Sequence, residues 1–325
     1  MNSPQTFAQR SAAVGFIAWL LLLLGTTADS ASTELIHKIV FFGVLVIVPL
    51  GLSLVAPSDR NDSFSLSKLA VFMQPIAALL TVASFFLDKG VPSATLSSSW
   101  LILTGLVALH GVTRLITRGS LFPLAESSID AGLMYLPVAG SWLVVYRLGI
   151  QPLAYGEIII LLTVVHFHFA GFATPIIAGM SGRVLALRKY PRQIFAFSVV
   201  AIVAAMPLVA AGITLTPLLG LIGTLLLSCG LVLLAVLTIG WVRPAVSQSG
   251  LRVLLGFGAL SSCSAMVLAT LYAYSLASQT LILTIPMMAK THGILNAFGF
   301  VTCNLFVWSR IAPKELIADK EAQIV

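Results

Sequence analysis

Residues 158–180 read IIILLTVVHFHFAGFATPIIAGM, twenty-three positions without an Asp, Glu, Lys or Arg. As a helix, about 20 such residues cross the roughly 30 Å hydrocarbon core of a bilayer. The run does not alternate with period two, as a membrane β-strand would. Similar apolar runs recur along the chain, which is 58% hydrophobic and only 9% charged. A soluble domain carries about 25% charged residues, so this composition excludes an ordinary soluble globular fold. The sequence reads as an all-α, polytopic helical membrane protein.

Ten spans can be marked, at about 11–28, 36–56, 69–87, 97–116, 131–147, 152–180, 194–214, 217–241, 253–278 and 281–309. No connection is long enough for a soluble domain, so residues 1–325 read as a single transmembrane helical domain with a short charged tail, 310–325. The first span, behind Arg10 and ahead of the small residues near Ser30, also has features of a cleaved signal peptide. A retained helix is the expectation here.

The net charge of +7 invites a nucleic-acid reading. The basic residues, however, gather in short loops between spans, where membrane topology accounts for them. With the N-terminus in the cytoplasm, fourteen Lys and Arg fall inside: Arg10, Arg60, Lys68, Arg114, Arg118, Arg183, Arg188, Lys189, Arg192, Arg243, Arg252, Arg310, Lys314 and Lys320. Only Lys38, Lys89 and Arg147 fall outside, and Lys290 lies within a span. The expected topology therefore has both termini cytoplasmic. The expected partner is the lipid bilayer rather than nucleic acid.

Ionisable residues inside a span are costly and mark functional candidates by default. Here they are Glu157, His166 and His168 in the sixth span, Lys290 and His292 in the tenth, and His110 near the end of the fourth. His166 and His168 are two residues apart, which places them about 200° apart on a regular helix. They cannot both hold one metal from such a helix. His168 shares a stripe with Glu157, Phe172 and Pro175. In the tenth span His292, Asn296, Gly299 and Cys303 form a polar stripe at i, i+4, i+7 and i+11. Both histidine segments fall near mid-depth, so the expectation is a polar centre between spans six and ten. Glu157 and Lys290, both in the outer halves of their spans, could pair. Pro175, flanked by Gly171 and Gly179, removes a backbone donor and points to a bend or hinge in span six.

A metal reading needs three or four ligands, and Glu157 lies about 16 Å along the axis from His168. His168 and His292 remain as weak metal candidates, or as the axial pair of a haem. Structural hydrogen bonding and proton or solute handling ask less of the sequence. Cys229, Cys263 and Cys303 lie in apolar segments without a C-x-x-C pair and read as buried small hydrophobes. Phosphate loops, nucleophile elbows and H-E-x-x-H are absent.

The segments VHFHFAGFATPIIAG (165–179) and THGILNAFGF (291–300) resemble those of the YndJ-like family of bacterial membrane proteins, sometimes labelled transporters. The resemblance implies that His166, His168, His292 and Asn296 belong to one family signature, and that the chain sits in a bacterial cytoplasmic (inner) membrane. Two functional expectations stay open. One is a transporter-like protein with a histidine-centred site for a proton, a small solute or a lipophilic substrate. The other is a membrane-embedded enzyme acting on a lipid or isoprenoid, with histidines as acid/base groups or ligands of a metal or haem.

Overall fold

The computed structural model describes residues 3–25, 31–55 and 65–311. Much of the expected tail, 312–325, thus lies outside the described residues, as do Arg60, Lys314 and Lys320. Among the described residues there are ten helices and no strand. We number them α1 Pro4–Leu24, α2 Thr33–Val55, α3 Leu66–Ser84, α4 Val91–Arg118, α5 Leu124–Leu148, α6 Glu157–Leu185, α7 Arg192–Thr214, α8 Pro217–Ala245, α9 Ser249–Ala277 and α10, 285–310. The first nine are long and apolar enough to cross a membrane. In α10, Lys290, Thr291, His292, Asn296 and Asn304 dilute the apolar residues.

The helices begin where the sequence offers caps. Ser3, Ser65, Thr216 and Thr284 each accept a backbone N–H three residues on, and Pro4, Pro217 and Pro286 fall in first turns. Gly119, at φ 64°, ends α4 in the left-handed conformation that glycine adopts without strain. Span six starts at Glu157 rather than 152, because Pro152–Ala154 form a separate 3₁₀ turn before Gly156. Helix α5 starts seven residues before the apolar run does. Its first turns carry Glu126 and Asp130, which find arginine partners and so tolerate burial.

Four helices depart from the α register. Gly43–Ile47 in α2, Phe167–Ala173 in α6, Thr238–Val242 in α8, and Ala289–Gly293 with Leu295–Thr302 in α10 are π-helical. Such segments are rare and recur at functional sites. In α6 the π segment ends just before Pro175, whose missing N–H already breaks the regular ladder.

By contacts the chain forms two compact units, Met1–Ser120 with Asp130–Ala173, and Leu121–Ile129 with Thr174–Val325. Helices α5 and α6 contribute to both. In the first unit α2 is the central helix: 83% of its apolar window is buried, against 22% for α1. The irregular turn of α2 is secured from α3, where buried Gln74 donates Nε2–H to the Val44 carbonyl at 2.8 Å. Gly15 of α1 packs directly on the backbone of Leu45. In the second unit α7 and α8 pack through facing glycines, and a Cβ on Gly212 would lie 2.2 Å from the Gly220 backbone. Ser198 of α7 donates to the Gly230 carbonyl at 2.8 Å. Helices α9 and α10 approach through Gly258 and Gly299, whose missing side chains leave room for Asn304 and Ser261. Small residues at helix contacts are how membrane helices gain dispersion energy, since lipid supplies no hydrophobic drive between them.

Candidate functional site

The two histidines of the sixth span have different surroundings. His168 is fully buried in the first unit. Its Nδ1 bonds the Val164 carbonyl at 2.8 Å, and its Nε2 accepts the indole N–H of Trp100 at 3.0 Å. The Val164 carbonyl can only accept, so Nδ1 carries the proton and Nε2 the lone pair. The Trp100 and His168 rings also stack, 5.7 Å between centroids, and Gly43 of α2 lies against the imidazole where a Cβ would come within 3.4 Å. Every polar atom of this ring is engaged within the protein. His166 is exposed on the surface of the chain, with Nδ1 bonded to the Leu162 carbonyl at 2.7 Å.

Glu157 shares the stripe of His168 by spacing but not its burial, because it stands in the first turn of α6 beyond the packed part. Its carboxylate pairs with Lys89 at 2.7 Å. Lys290 is exposed.

In the second unit the structure brings His292 and Asn296 together. His292 is half-buried, and its Nδ1 bonds the Ala265 carbonyl of α9 at 2.8 Å. The Asn296 amide Nδ2 donates to its Nε2 at 3.3 Å. The imidazole thus ties α10 to α9 through one nitrogen and holds an amide with the other. The π register runs through both residues. Further along, Thr302 and Cys303 donate to the carbonyls five residues back, Ala297 and Phe298. These side chains satisfy carbonyls that the loosened register leaves poorly paired. The Asn296 Oδ1 accepts no hydrogen bond among the described residues.

The hinge candidates sit at close contacts. A Cβ on Gly171 would come within 2.9 Å of the Phe167 ring, and one on Gly179 within 2.5 Å of the Ala125 carbonyl oxygen. The Pro175 carbonyl accepts the Ser128 hydroxyl at 2.8 Å. Helix α6 passes from the first compact unit to the second between Ala173 and Thr174, directly before Pro175.

The sequence reading missed several polar and charged side chains that are buried or paired within the protein. Asp130 is fully buried and accepts from Arg114 and Arg118, each at 2.6 Å. Arg183 meets Glu126 through two nitrogens, at 2.6 and 2.8 Å. Buried Arg147 donates to the carbonyls of Ser84 and Leu87 and lies over the Phe85 ring. Buried His37 bonds the Tyr146 hydroxyl at 2.7 Å. Counting Lys and Arg by loop assigns these arginines to topology alone. The available signal was compensation of charge, acids at 126 and 130 against arginines at 114, 118 and 183. Among the described residues no three His, Cys, Asp or Glu side chains gather as a metal would need.

Nine helices among the described residues, each long and apolar enough to cross a membrane and many with large apolar side chains exposed, define the class: an integral, polytopic helical membrane protein. A family model described as YndJ-like protein matches residues 38–300, most of the chain, and the chain belongs to that family. It is 27% identical over 312 residues to the uncharacterized membrane protein YndJ of Bacillus subtilis (strain 168). That similarity covers 94% of this chain and 54% of the relative, so the chain spans about half the relative's length. No solved structure matches it.

Proposed function

We propose that this is a transporter-like protein of the bacterial cytoplasmic membrane, with the half-buried His292–Asn296 pair handling a proton or a small polar solute. The observation that carries the reading is the open amide of Asn296. A polar group in a membrane-spanning helix must meet protein, water or solute, because hydrocarbon offers no partner. Its neighbour His292 supplies an exchangeable lone pair at Nε2 while Nδ1 stays fixed to α9. A proton or a solute hydroxyl arriving there would replace the Asn296 N–H and turn the amide toward the solute. Fixing one ring nitrogen sets the tautomer and leaves the other to do chemistry. His168 belongs to the fold in this reading, and His166 presents an edge to its surroundings.

The weakened stretch of α6 around Gly171, Pro175 and Gly179 is assigned as the place where that helix bends. The excess of Lys and Arg on one set of loops supports cytoplasmic termini.

The test is water access at mid-helix. Asn296→Cys is made in a variant whose Cys229, Cys263 and Cys303 are replaced by Ala, and membrane vesicles are treated with a membrane-impermeant methanethiosulfonate. Labelling from at least one side is expected. Reaction confined to lipid-soluble N-ethylmaleimide, or no reaction with either reagent, overturns the proposal.

A further inference from the structure

Away from the histidines, an open cleft of about 420 Å³ lies between the end of α8 and the start of α9, lined by Ile239, Arg243, Val253, Gly256, Phe257 and Leu260. Its walls are almost wholly apolar, and Val253, Phe257 and Leu260 are more than half exposed. Gly256 supplies the bare floor; beyond it, where a Cβ would stand, Arg243 passes at 3.5 Å. The π turn at Thr238–Val242 and the 3₁₀ turn at Arg243–Ala245 set Arg243 at this end of the cleft.

Arg243 donates Nε–H to the Arg252 carbonyl at 3.1 Å. That bond orients the guanidinium and leaves its terminal N–H groups available as a fork. The second guanidinium, of Arg252, is exposed nine residues on. Neither has a carboxylate partner among the described residues, unlike Arg114, Arg118 and Arg183. An apolar trough ending in the uncompensated guanidinium of Arg243, at the end of a membrane-crossing helix, has the polarity of one molecule type.

We propose that this cleft is a binding site for an anionic phospholipid, with an acyl chain along Ile239, Val253, Phe257 and Leu260 and the phosphate on Arg243. Basic pockets between membrane helices hold such headgroups, and guanidinium matches phosphate through paired N–H donors. Boundary lipid elsewhere on the surface would lack the oriented Arg243 guanidinium. The site is separate from the His292–Asn296 pair and stands or falls independently of it.

The experiment is native mass spectrometry of the full chain in detergent, with phosphatidylglycerol and phosphatidylcholine of identical chains added at equal concentration. Phosphatidylglycerol should be retained preferentially. Arg243→Gln should weaken it about tenfold, and Gly256→Leu, which fills the floor, should weaken both lipids. Both variants are at exposed or half-exposed positions, and size-exclusion profiles identify any that misfold. Inorganic phosphate should not displace the lipid at equal concentration. Equal retention of the two lipids, indifference to Arg243→Gln, or displacement by free phosphate each overturns the proposal.

Discussion

Two histidines in this protein sit in comparable settings and end in opposite states. Both His168 and His292 lie within π-helical segments of membrane helices, and both place Nδ1 on a backbone carbonyl. At His168 the second nitrogen meets a fully buried indole from another helix, closing the site. At His292 it meets a half-buried amide that keeps an acceptor open. The identity of the histidine therefore says little about its role. What its second nitrogen touches, and whether that partner is itself satisfied, separates a joint from a site.

The largest effect expected is at the closed histidine. His168→Ala removes a packed ring and strands the Trp100 N–H in a dry core, so it should lower stability by about 3 kcal/mol or more. Thermal unfolding in detergent reads this directly. His168→Gln, which keeps an acceptor for Trp100, should recover part of the loss. A His168→Ala protein as stable as the parent would remove the distinction between the two histidines.

Next comes the contact beside the π segment of α6. Gly179→Ala puts a methyl group 2.5 Å from the Ala125 carbonyl, and overpacking of this kind costs about 1–3 kcal/mol. A smaller loss is expected at half-buried His292. His292→Ala gives up hydrogen bonds in a half-buried place and should cost roughly 1 kcal/mol, and under the proposed transport role it should abolish flux. Loss of flux with little loss of stability is the signature that sharpens the comparison. Smallest is Glu157→Gln, which weakens a partly exposed pair with Lys89. Such pairs contribute about 0–1 kcal/mol, so its melting curve should nearly overlay the parent's.

The sequence carried the fold further than the site. Unbroken apolar runs fix the number of helices, because hydrocarbon demands that each segment satisfy its own backbone. Their ends moved where caps and charges, rather than hydropathy, set the start, as at Ser65 for α3 and at Glu126 and Asp130 in α5. At the site, spacing placed His166 and His168 on different faces, and one is indeed exposed and the other buried. Spacing also joined His292 to Asn296. It could not supply Trp100, Lys89 or the Ala265 carbonyl, because those partners come from other helices and nothing local encodes them. The π segments were also invisible, since no periodic pattern of apolar residues marks them, although Pro175 pointed to an irregular stretch of α6. Buried Asp130 was hidden for a related reason: its two arginines sit twelve and sixteen residues earlier, across a turn.

The central claim is that the half-buried His292–Asn296 pair keeps an acceptor open while His168 is closed, and carbethoxylation of the folded, unsubstituted protein in liposomes tests it most directly. Treated briefly with diethylpyrocarbonate and mapped by peptide mass spectrometry, the protein should carry the modification at His292 and none at His168 until it is unfolded. Modification of both at equal rates, or of His168 ahead of His292, would contradict the account.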